Sequence, residues 1–141
     1  MTKNTAVAHW EGPLLSGTGT VSLASSQVAS FPVGWAARAE NIAGATNPEE
    51  LIAAAHATCY SMALSNFLGQ NGTPPEALET TVEIGFDPRT GITGSHISVV
   101  GTVPDIDADQ FMKFAEEAKA NCPVSKALAG IPISLDAALK Q

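Results

Sequence analysis

Apolar residues dominate positions 51–64, where only four side chains carry polar atoms. This stretch predicts a long helix, because Asn47 is a good N-cap, Pro48 suits the first helical position and two glutamates follow near the positive end of the helix dipole. A helix that is apolar nearly all round is expected to be buried on most sides. Its predicted end lies at Gly69 or Gly72.

Alternating residues before this helix predict three strands. Residues 5–11 and 17–24 alternate well enough to form a hairpin. Residues 31–40 predict a third strand, with Trp35 on one face and Arg38 on the opposite face. Arg38 is therefore expected inside a strand, whereas the other six cations fall at turns, on helix surfaces or near the chain ends.

The chain after the long helix predicts two strands, two shorter helices and a final strand. Residues 78–86 and 92–103 alternate on either side of a turn and form the strand pair. Asp107 caps an amphipathic helix, a shorter helix follows over residues 123–129, and residues 131–135 form a last strand at a sheet edge. This order predicts an α+β fold with an antiparallel sheet packed on the long central helix.

Composition narrows the class of protein. A chain of 141 residues, 45% hydrophobic and 15% charged, predicts one domain over residues 1–141 whose uncharged surface is partly buried in an oligomer. The net charge of −7 disfavours nucleic acid and anionic membranes as partners. No signal-peptide pattern and no apolar run of about 20 residues is expected, so the predicted location is the cytoplasm.

The two cysteines, Cys59 and Cys122, stand 63 positions apart, and both fall on faces predicted to point inward. They are either inert buried thiols or a working redox pair. Cys122 would cap the short helix, where the positive helix end favours a thiolate. Cys59 lies about three turns into its helix and would need a cation. Arg38 is the best candidate, with Glu49 or Glu50 as its carboxylate.

His56 lies three residues before Cys59 on the same side of the predicted helix. This spacing allows two further interpretations, a Cys/His nucleophile or, together with Cys122, a metal site. The first needs a third group that orients the imidazole, and structural zinc usually takes four ligands at recognisable spacing. Both interpretations are therefore weakly supported by the sequence.

Four segments occur together and in order: the AHWEG start, the segment around Arg38, NPEELIAAAHATC ending at Cys59, and NCPVSKAL containing Cys122. Together they resemble the OsmC/Ohr family of osmotically inducible and organic hydroperoxide resistance proteins, and the OsmC branch is the nearer match. The resemblance covers essentially the whole chain. It implies a thiol peroxidase that forms an intertwined homodimer with active sites at the subunit interface.

The resemblance also implies a role for each site residue. Cys59 is the peroxidatic nucleophile, Cys122 the resolving thiol, Arg38 the residue that activates the thiolate and Glu49 the carboxylate that orients Arg38. It leaves Glu50 uncertain, and it assigns no role to the histidine that precedes the nucleophile. No cofactor is implied.

The chemistry so implied has three steps. The Cys59 thiolate attacks the O–O bond of a hydroperoxide and becomes a sulfenic acid, Cys122 condenses with it to a disulfide, and a dithiol, such as a lipoyl-type reductant, reduces the disulfide. The apolar residues beside Cys59 favour organic hydroperoxides over hydrogen peroxide. Two alternatives remain open: a non-catalytic, stress-associated binding or structural dimer, and a protein thiol–disulfide exchanger.

Helix geometry adds one prediction. Glu49 and Cys59 are ten residues apart on one helix, about 15 Å along its axis, so they cannot share a site within that helix. If Glu49 serves Cys59, it comes from a second subunit whose helix runs antiparallel and crosses near the midpoint at residues 53–55, all alanine. We therefore predict a two-fold axis near Ala54 and composite active sites.

Overall fold

The structure, a computed structural model, describes residues 1–140. Its first half runs through three strands and two helices: β1 (Val7–Glu11), β2 (Thr18–Ser22), β3 (Ser30–Val33), α1 (Trp35–Ala39) and α2 (Pro48–Gln70). Its second half contains three more strands and two helices: β4 (Ala77–Asp87), β5 (Gly91–Thr102), α3 (Ala108–Asn121), α4 (Pro123–Ala127) and β6 (Ile133–Leu139). The predicted α+β class and the order of elements are confirmed, apart from α1.

The strands form two three-stranded sheets, in the orders β1-β2-β3 and β4-β5-β6. Both predicted hairpins are present, since β1 pairs antiparallel with β2 and β4 pairs antiparallel with β5. β6 lies at a sheet edge as predicted, but it starts two residues later and runs parallel to β5. The expectation of a wholly antiparallel sheet is therefore wrong, because the long return through α3 and α4 brings the chain back in the same direction.

The segment that carries Arg38 is a helix, and the prediction of a strand over residues 31–40 is wrong beyond Val33. Gly34 is extended, and one helical turn follows in which the Arg38 N–H donates to the Gly34 carbonyl (3.3 Å). Three of the five residues in α1 are alanine, which favours helix over strand. Ala37 is buried, so the turn is anchored to the rest of the chain.

α2 begins as predicted, because the Asn47 side chain accepts a hydrogen bond from the Glu50 N–H (2.8 Å). The helix continues through Gly69 and ends before Gly72, whose φ of 81° suits glycine. Within one chain it buries a single stripe at i+4 spacing and leaves the opposite side open, contrary to the prediction of burial on most sides. The buried stripe consists of His56, Tyr60, Leu64 and Leu68, and the open face of Ala54, Ala55, Thr58 and Met62.

By length and composition alone, α2 also passes for a membrane-spanning helix, with a mean hydropathy of 1.2 over its most apolar window. The expectation that no such stretch exists is wrong on this measure. The helix nevertheless carries polar groups that bond within the chain, such as the Tyr60 hydroxyl, which donates to the Ala115 carbonyl of α3 (3.0 Å). The cytoplasmic location stays a prediction.

The core lies between α2, α3 and β5, where Tyr60, Leu64, Ile97 and Phe111 pack together. Asp107 and Gln110 form the predicted capping box at the start of α3. The apolar stripe of α3 extends to Cys122, which belongs to the core and has no exposed surface. The packing of α2 against the end of α3 thus brings the two cysteines together.

Candidate active site

Cys59 packs against the hydrophobic core that contains Cys122, and the two thiols are close enough for Cys122 to shift the pKa of Cys59. Cys59 sits halfway along α2 and is partly buried, whereas Cys122 occupies the junction of α3 and α4 and is fully buried. The Cys122 N–H still donates to the Ala118 carbonyl (2.9 Å), and Pro123 then turns the chain into α4. The predicted inward direction of both thiols is confirmed, and both thiols are free.

The first turn of α4 adds a backbone N–H beside the thiols. The Val124 N–H lies near Cys59 and favours its thiolate form. The sequence predicts that the start of α4 acts on Cys122, but in the structure this N–H acts on Cys59. We call Cys59, Cys122 and Val124 the thiol half-site.

The pKa of the Cys59 thiol is raised in the single chain. Burial is the largest cause, and the neighbouring Cys122 raises it further through its side-chain hydrogen bond and its charge. The Val124 N–H lowers the pKa of Cys59 and offsets only part of this rise. A reactive thiolate at Cys59 therefore needs a positive charge that the thiol half-site does not contain.

Arg38 is held by Glu49 of the same chain in a bidentate ion pair. Its Nη2 donates to Oε1 (2.8 Å), and its Nε lies 3.1 and 3.2 Å from the two carboxylate oxygens. The guanidinium also stacks on Phe86, 4.2 Å from the ring centre, and Trp35 meets the same ring edge-on. Glu49 is 6% exposed, so this is a largely desolvated carboxylate. We call Arg38, Glu49 and Phe86 the arginine half-site.

Glu50 has a different partner, although the sequence leaves both glutamates open. Its carboxylate accepts a hydrogen bond from the Thr46 hydroxyl (2.7 Å) in the loop before α2. The two side chains leave the helix about 100° apart, which follows from 3.6 residues per turn. Glu49 is therefore the carboxylate that orients Arg38, and Glu50 is bound to the entry loop.

The two half-sites are separate within one chain. Glu49 and Cys59 lie on the same helix, about 15 Å apart along its axis, and Arg38 is bound to Glu49. Arg38 is not among the groups that shift the pKa of Cys59. Arg38 and Cys59 therefore do not meet within the described chain, and the expectation that Arg38 serves Cys59 stays a prediction about a site shared between two chains.

His56 is fully buried, and both of its ring nitrogens are engaged. Nδ1 lies 2.8 Å from the Ser95 hydroxyl on β5, and Nε2 lies 2.8 Å from the Ser125 hydroxyl on α4. Burial lowers the pKa of His56, which favours a neutral ring. With both nitrogens bound to serines, the imidazole is poorly placed to serve as a base for Cys59 or as a metal ligand. The two serines carry no sequence signal that identifies them in advance.

Two cavities meet at Arg38. One, of about 260 Å³, is apolar and lies between the first sheet and the start of α2, with Trp10, Leu14, Val33 and Leu51 among its lining residues. The other, of about 480 Å³, is polar and is bounded by Glu49, Glu50, Glu83 and the end of β4. The Arg38 guanidinium therefore lies between an apolar cavity and a polar cavity bounded by glutamates.

Comparisons with known proteins show the family to which the chain belongs. The family model for the OsmC-like protein matches residues 40–136. Peroxiredoxin OsmC of Escherichia coli (strain K12) is 45% identical over 136 residues, 94% of each chain. An organic hydroperoxide resistance protein-like 2 of Staphylococcus epidermidis is 36% identical over 95 residues, 64% of this chain and 66% of the relative.

Solved structures show the same fold. An OsmC-like protein from Mycoplasma pneumoniae superposes with a TM-score of 0.77 over 99% of both chains at 14% identity. The organic hydroperoxide resistance protein OhrB of Bacillus subtilis superposes with a TM-score of 0.64 over 96% of this chain and 98% of its own, at 26% identity. The family match and the extended identity to the Escherichia coli protein place this chain in the OsmC family.

Proposed function

We propose that the chain is a cysteine-based peroxidase that reduces organic hydroperoxides, and hydrogen peroxide less well, at the expense of a dithiol. The observation that carries the proposal is the meeting of Cys59 and Cys122, free thiols from distant parts of the chain, at the hydrophobic core. The names of the relatives, a peroxiredoxin and several organic hydroperoxide resistance proteins, support the same class of reaction.

The proposed cycle balances without a cofactor. The Cys59 thiolate attacks the distal oxygen of the hydroperoxide, the O–O bond breaks, and the alkoxide takes up a proton and leaves as an alcohol. Cys122 then condenses with the Cys59 sulfenic acid: the S–S bond forms, the S–O bond breaks, and the hydroxyl leaves with the thiol hydrogen as water. A dithiol, for which a lipoyl-type compound is our candidate, reduces the disulfide by exchange and is itself oxidised.

The proposed active site is composite, with Arg38 and Glu49 of one subunit serving Cys59 of another. Residue 54 is midway between Glu49 and Cys59. A two-fold axis there would place Glu49 of each chain beside Cys59 of the other chain. The open face of α2 supports this placement, because Ala54 and Thr58 are small and exposed and the Thr58 hydroxyl is already bound to the Ala54 carbonyl (2.7 Å). Such a face allows two helices to approach closely.

Arg38 has two tasks in this arrangement. Its charge lowers the pKa of Cys59, which the single chain raises, and its donors stabilise the alkoxide as the O–O bond breaks. The apolar cavity beside Arg38 suits the hydrocarbon part of an organic hydroperoxide. We expect a higher kcat/KM for cumene hydroperoxide than for hydrogen peroxide, and equal values would contradict this part of the proposal.

Intact-mass analysis with peptide mapping tests the central step. One equivalent of an alkyl hydroperoxide added to the reduced protein should produce one disulfide that joins Cys59 to Cys122. Cys59→Ser should abolish hydroperoxide-dependent oxidation of dithiothreitol, whereas Cys122→Ser should still consume one equivalent and stop at the sulfenic acid.

The same assay separates the alternatives. A binding or structural dimer would leave both thiols reduced under these conditions. A thiol–disulfide exchanger would oxidise the dithiol from a protein disulfide with no hydroperoxide present. The first result would overturn the proposed peroxidase activity, and the second would do so if hydroperoxide itself produced no disulfide between Cys59 and Cys122.

A further inference from the structure

His56 takes no part in the cycle proposed above, yet it is the most completely engaged polar side chain of α2. It has no exposed surface and lies 2.8 Å from a serine hydroxyl on each side. A neutral imidazole has one donor and one acceptor, and a serine hydroxyl can act as either. The hydrogen bonds of the Ser95–His56–Ser125 network are therefore satisfied in either tautomer of the imidazole, and this network connects β5, α2 and α4.

The Ser95–His56–Ser125 network lies close to both thiols along the sequence. His56 precedes Cys59 by three residues on α2, and Ser125 follows Cys122 by three residues at the start of α4. The imidazole–hydroxyl bond thus runs beside the thiol pair, about one helical turn away along both segments. α4 has only five residues, and its start carries both Cys122 and the Val124 N–H that contacts Cys59.

We infer that His56 is a positioning residue that holds α4 against α2 through Ser125, so that Cys122 faces Cys59 when the sulfenic acid forms. This inference rests on the proposed function. It assigns His56 to the second step of the cycle, the closing of the disulfide, and to neither the attack on the hydroperoxide nor the final reduction. Ser125 is the partner through which it acts, and Ser95 anchors the other side of the ring.

The second step competes with a damaging reaction. The sulfenic acid can condense with Cys122 and release water, or it can react with a second hydroperoxide, which transfers one oxygen atom to the sulfur and leaves as an alcohol. The second route gives a sulfinic acid, which the disulfide cycle does not recover. The ratio of disulfide to sulfinic acid therefore measures how well Cys122 is positioned, independently of how fast Cys59 was first oxidised.

The experiment compares Ser125→Ala with the matched control Ser95→Ala. Each substitution removes one buried hydroxyl, 5% and 2% exposed respectively, and one 2.8 Å bond to the same imidazole. Only Ser125 lies on the segment that carries the resolving thiol. The reduced full-length proteins are treated with increasing concentrations of cumene hydroperoxide, and mass spectrometry of the Cys59 peptides gives the ratio of disulfide to sulfinic acid.

Loss of a hydrogen bond of this kind shifts a docking equilibrium by up to about tenfold. We expect Ser125→Ala to raise the sulfinic fraction several-fold at a given hydroperoxide concentration, and Ser95→Ala to stay close to the unaltered protein. Equal ratios in the two variants, or no change in Ser125→Ala, would overturn the inference, because the network would then contribute only to packing.

A second pair covers the case in which Ser125→Ala does not fold. His56→Leu removes both bonds to the serines and should raise the sulfinic fraction as Ser125→Ala does, whereas Ser125→Thr keeps the hydroxyl that bonds to His56 and should leave the ratio close to that of the unaltered protein. The two levels of proposal fail differently. An unaltered protein that forms neither sulfenic acid nor disulfide rejects the peroxidase and this inference together, whereas a normal cycle with matched serine variants rejects only the role of His56.

Discussion

The thiol half-site and the arginine half-site are built from different kinds of structure. The two sulfurs lie where α2, α3 and α4 pack together, and one of them has no exposed surface. Arg38 lies on a single turn of helix between two cavities, with 30% of its side chain exposed. One region is part of a closed core, and the other lies at an open rim.

This difference matches what each group has to do. Disulfide formation requires two sulfurs to approach to bonding distance, and a core that positions both within one chain achieves this without assembly. Activation of the Cys59 thiol requires a positive charge from outside the thiol half-site. The Arg38 guanidinium is partly exposed and is held by the buried Glu49 carboxylate, so it can contact a neighbouring subunit. Within one chain the pKa of Cys59 is raised, and in the proposed dimer the arginine half-site of one chain would supply the charge that the thiol half-site of the other lacks.

Removal of Arg38 gives the largest expected effect on this comparison. Arg38→Ala should lower kcat/KM for cumene hydroperoxide by about a hundredfold, the usual loss for a donor at a developing oxyanion. Without the guanidinium the pKa of Cys59 stays raised, so the activity of the variant should go on increasing at pH values where the unaltered enzyme has reached its plateau. Stopped-flow rates across pH measure both effects.

Arg89→Ala is the matched control for that experiment. Arg89 pairs with Asp87 at the exposed β4–β5 turn, and its side chain is 88% exposed. Its removal should leave both the rate and the pH profile unchanged. A similar loss in the two variants would mean that Arg38 acts only through the net charge of the protein.

The two neighbouring glutamates provide a smaller and sharper test. Glu49→Gln keeps the size of the side chain but removes the negative charge that holds the Arg38 guanidinium. We expect about a tenfold lower kcat/KM, because the charge-assisted hydrogen bonds are lost. Glu50→Gln should leave kcat/KM nearly unchanged, because Glu50 bonds to Thr46 and not to Arg38. Equal effects would show that both carboxylates act through the stability of the helix start.

Mixed dimers test whether the half-sites combine between chains. Co-expressed Arg38→Ala and Cys59→Ser chains should recover about a quarter of full activity, because half of the dimers are mixed and each mixed dimer has one intact composite site. Dithiothreitol oxidation after size-exclusion purification measures the recovery. If each site lay within one chain, the mixture would be no more active than its two parents.

Sequence reasoning predicted the helices that carry the two thiols well, because local signals determine where these helices begin. The Asn47 cap, the Asp107 capping box and the proline after Cys122 are short-range signals, and the structure contains all three features. The apolar stripe of α3 also placed Cys122 inward, where it is found.

The arginine half-site was predicted less well, since its geometry depends on tertiary contacts. The alternation that continues from β3 favours a strand and outweighs the helix propensity of the alanines in the sequence pattern, so the prediction placed Arg38 in the wrong element. The choice between Glu49 and Glu50 depends on which side of α2 faces α1, which no local pattern records. The serines that bind His56 come from β5 and α4, and only the fold brings them together.

The bidentate pair between Arg38 and Glu49 is complete before any second chain arrives, and this has a consequence for newly made protein. In a single chain the pKa of Cys59 is raised, and the Arg38 guanidinium is already oriented by Glu49 but does not reach Cys59. In the proposed composite arrangement, a newly made chain would gain its reactive thiolate only when a second chain brings this preformed ion pair to Cys59, which couples reactivity towards hydroperoxides to dimer formation.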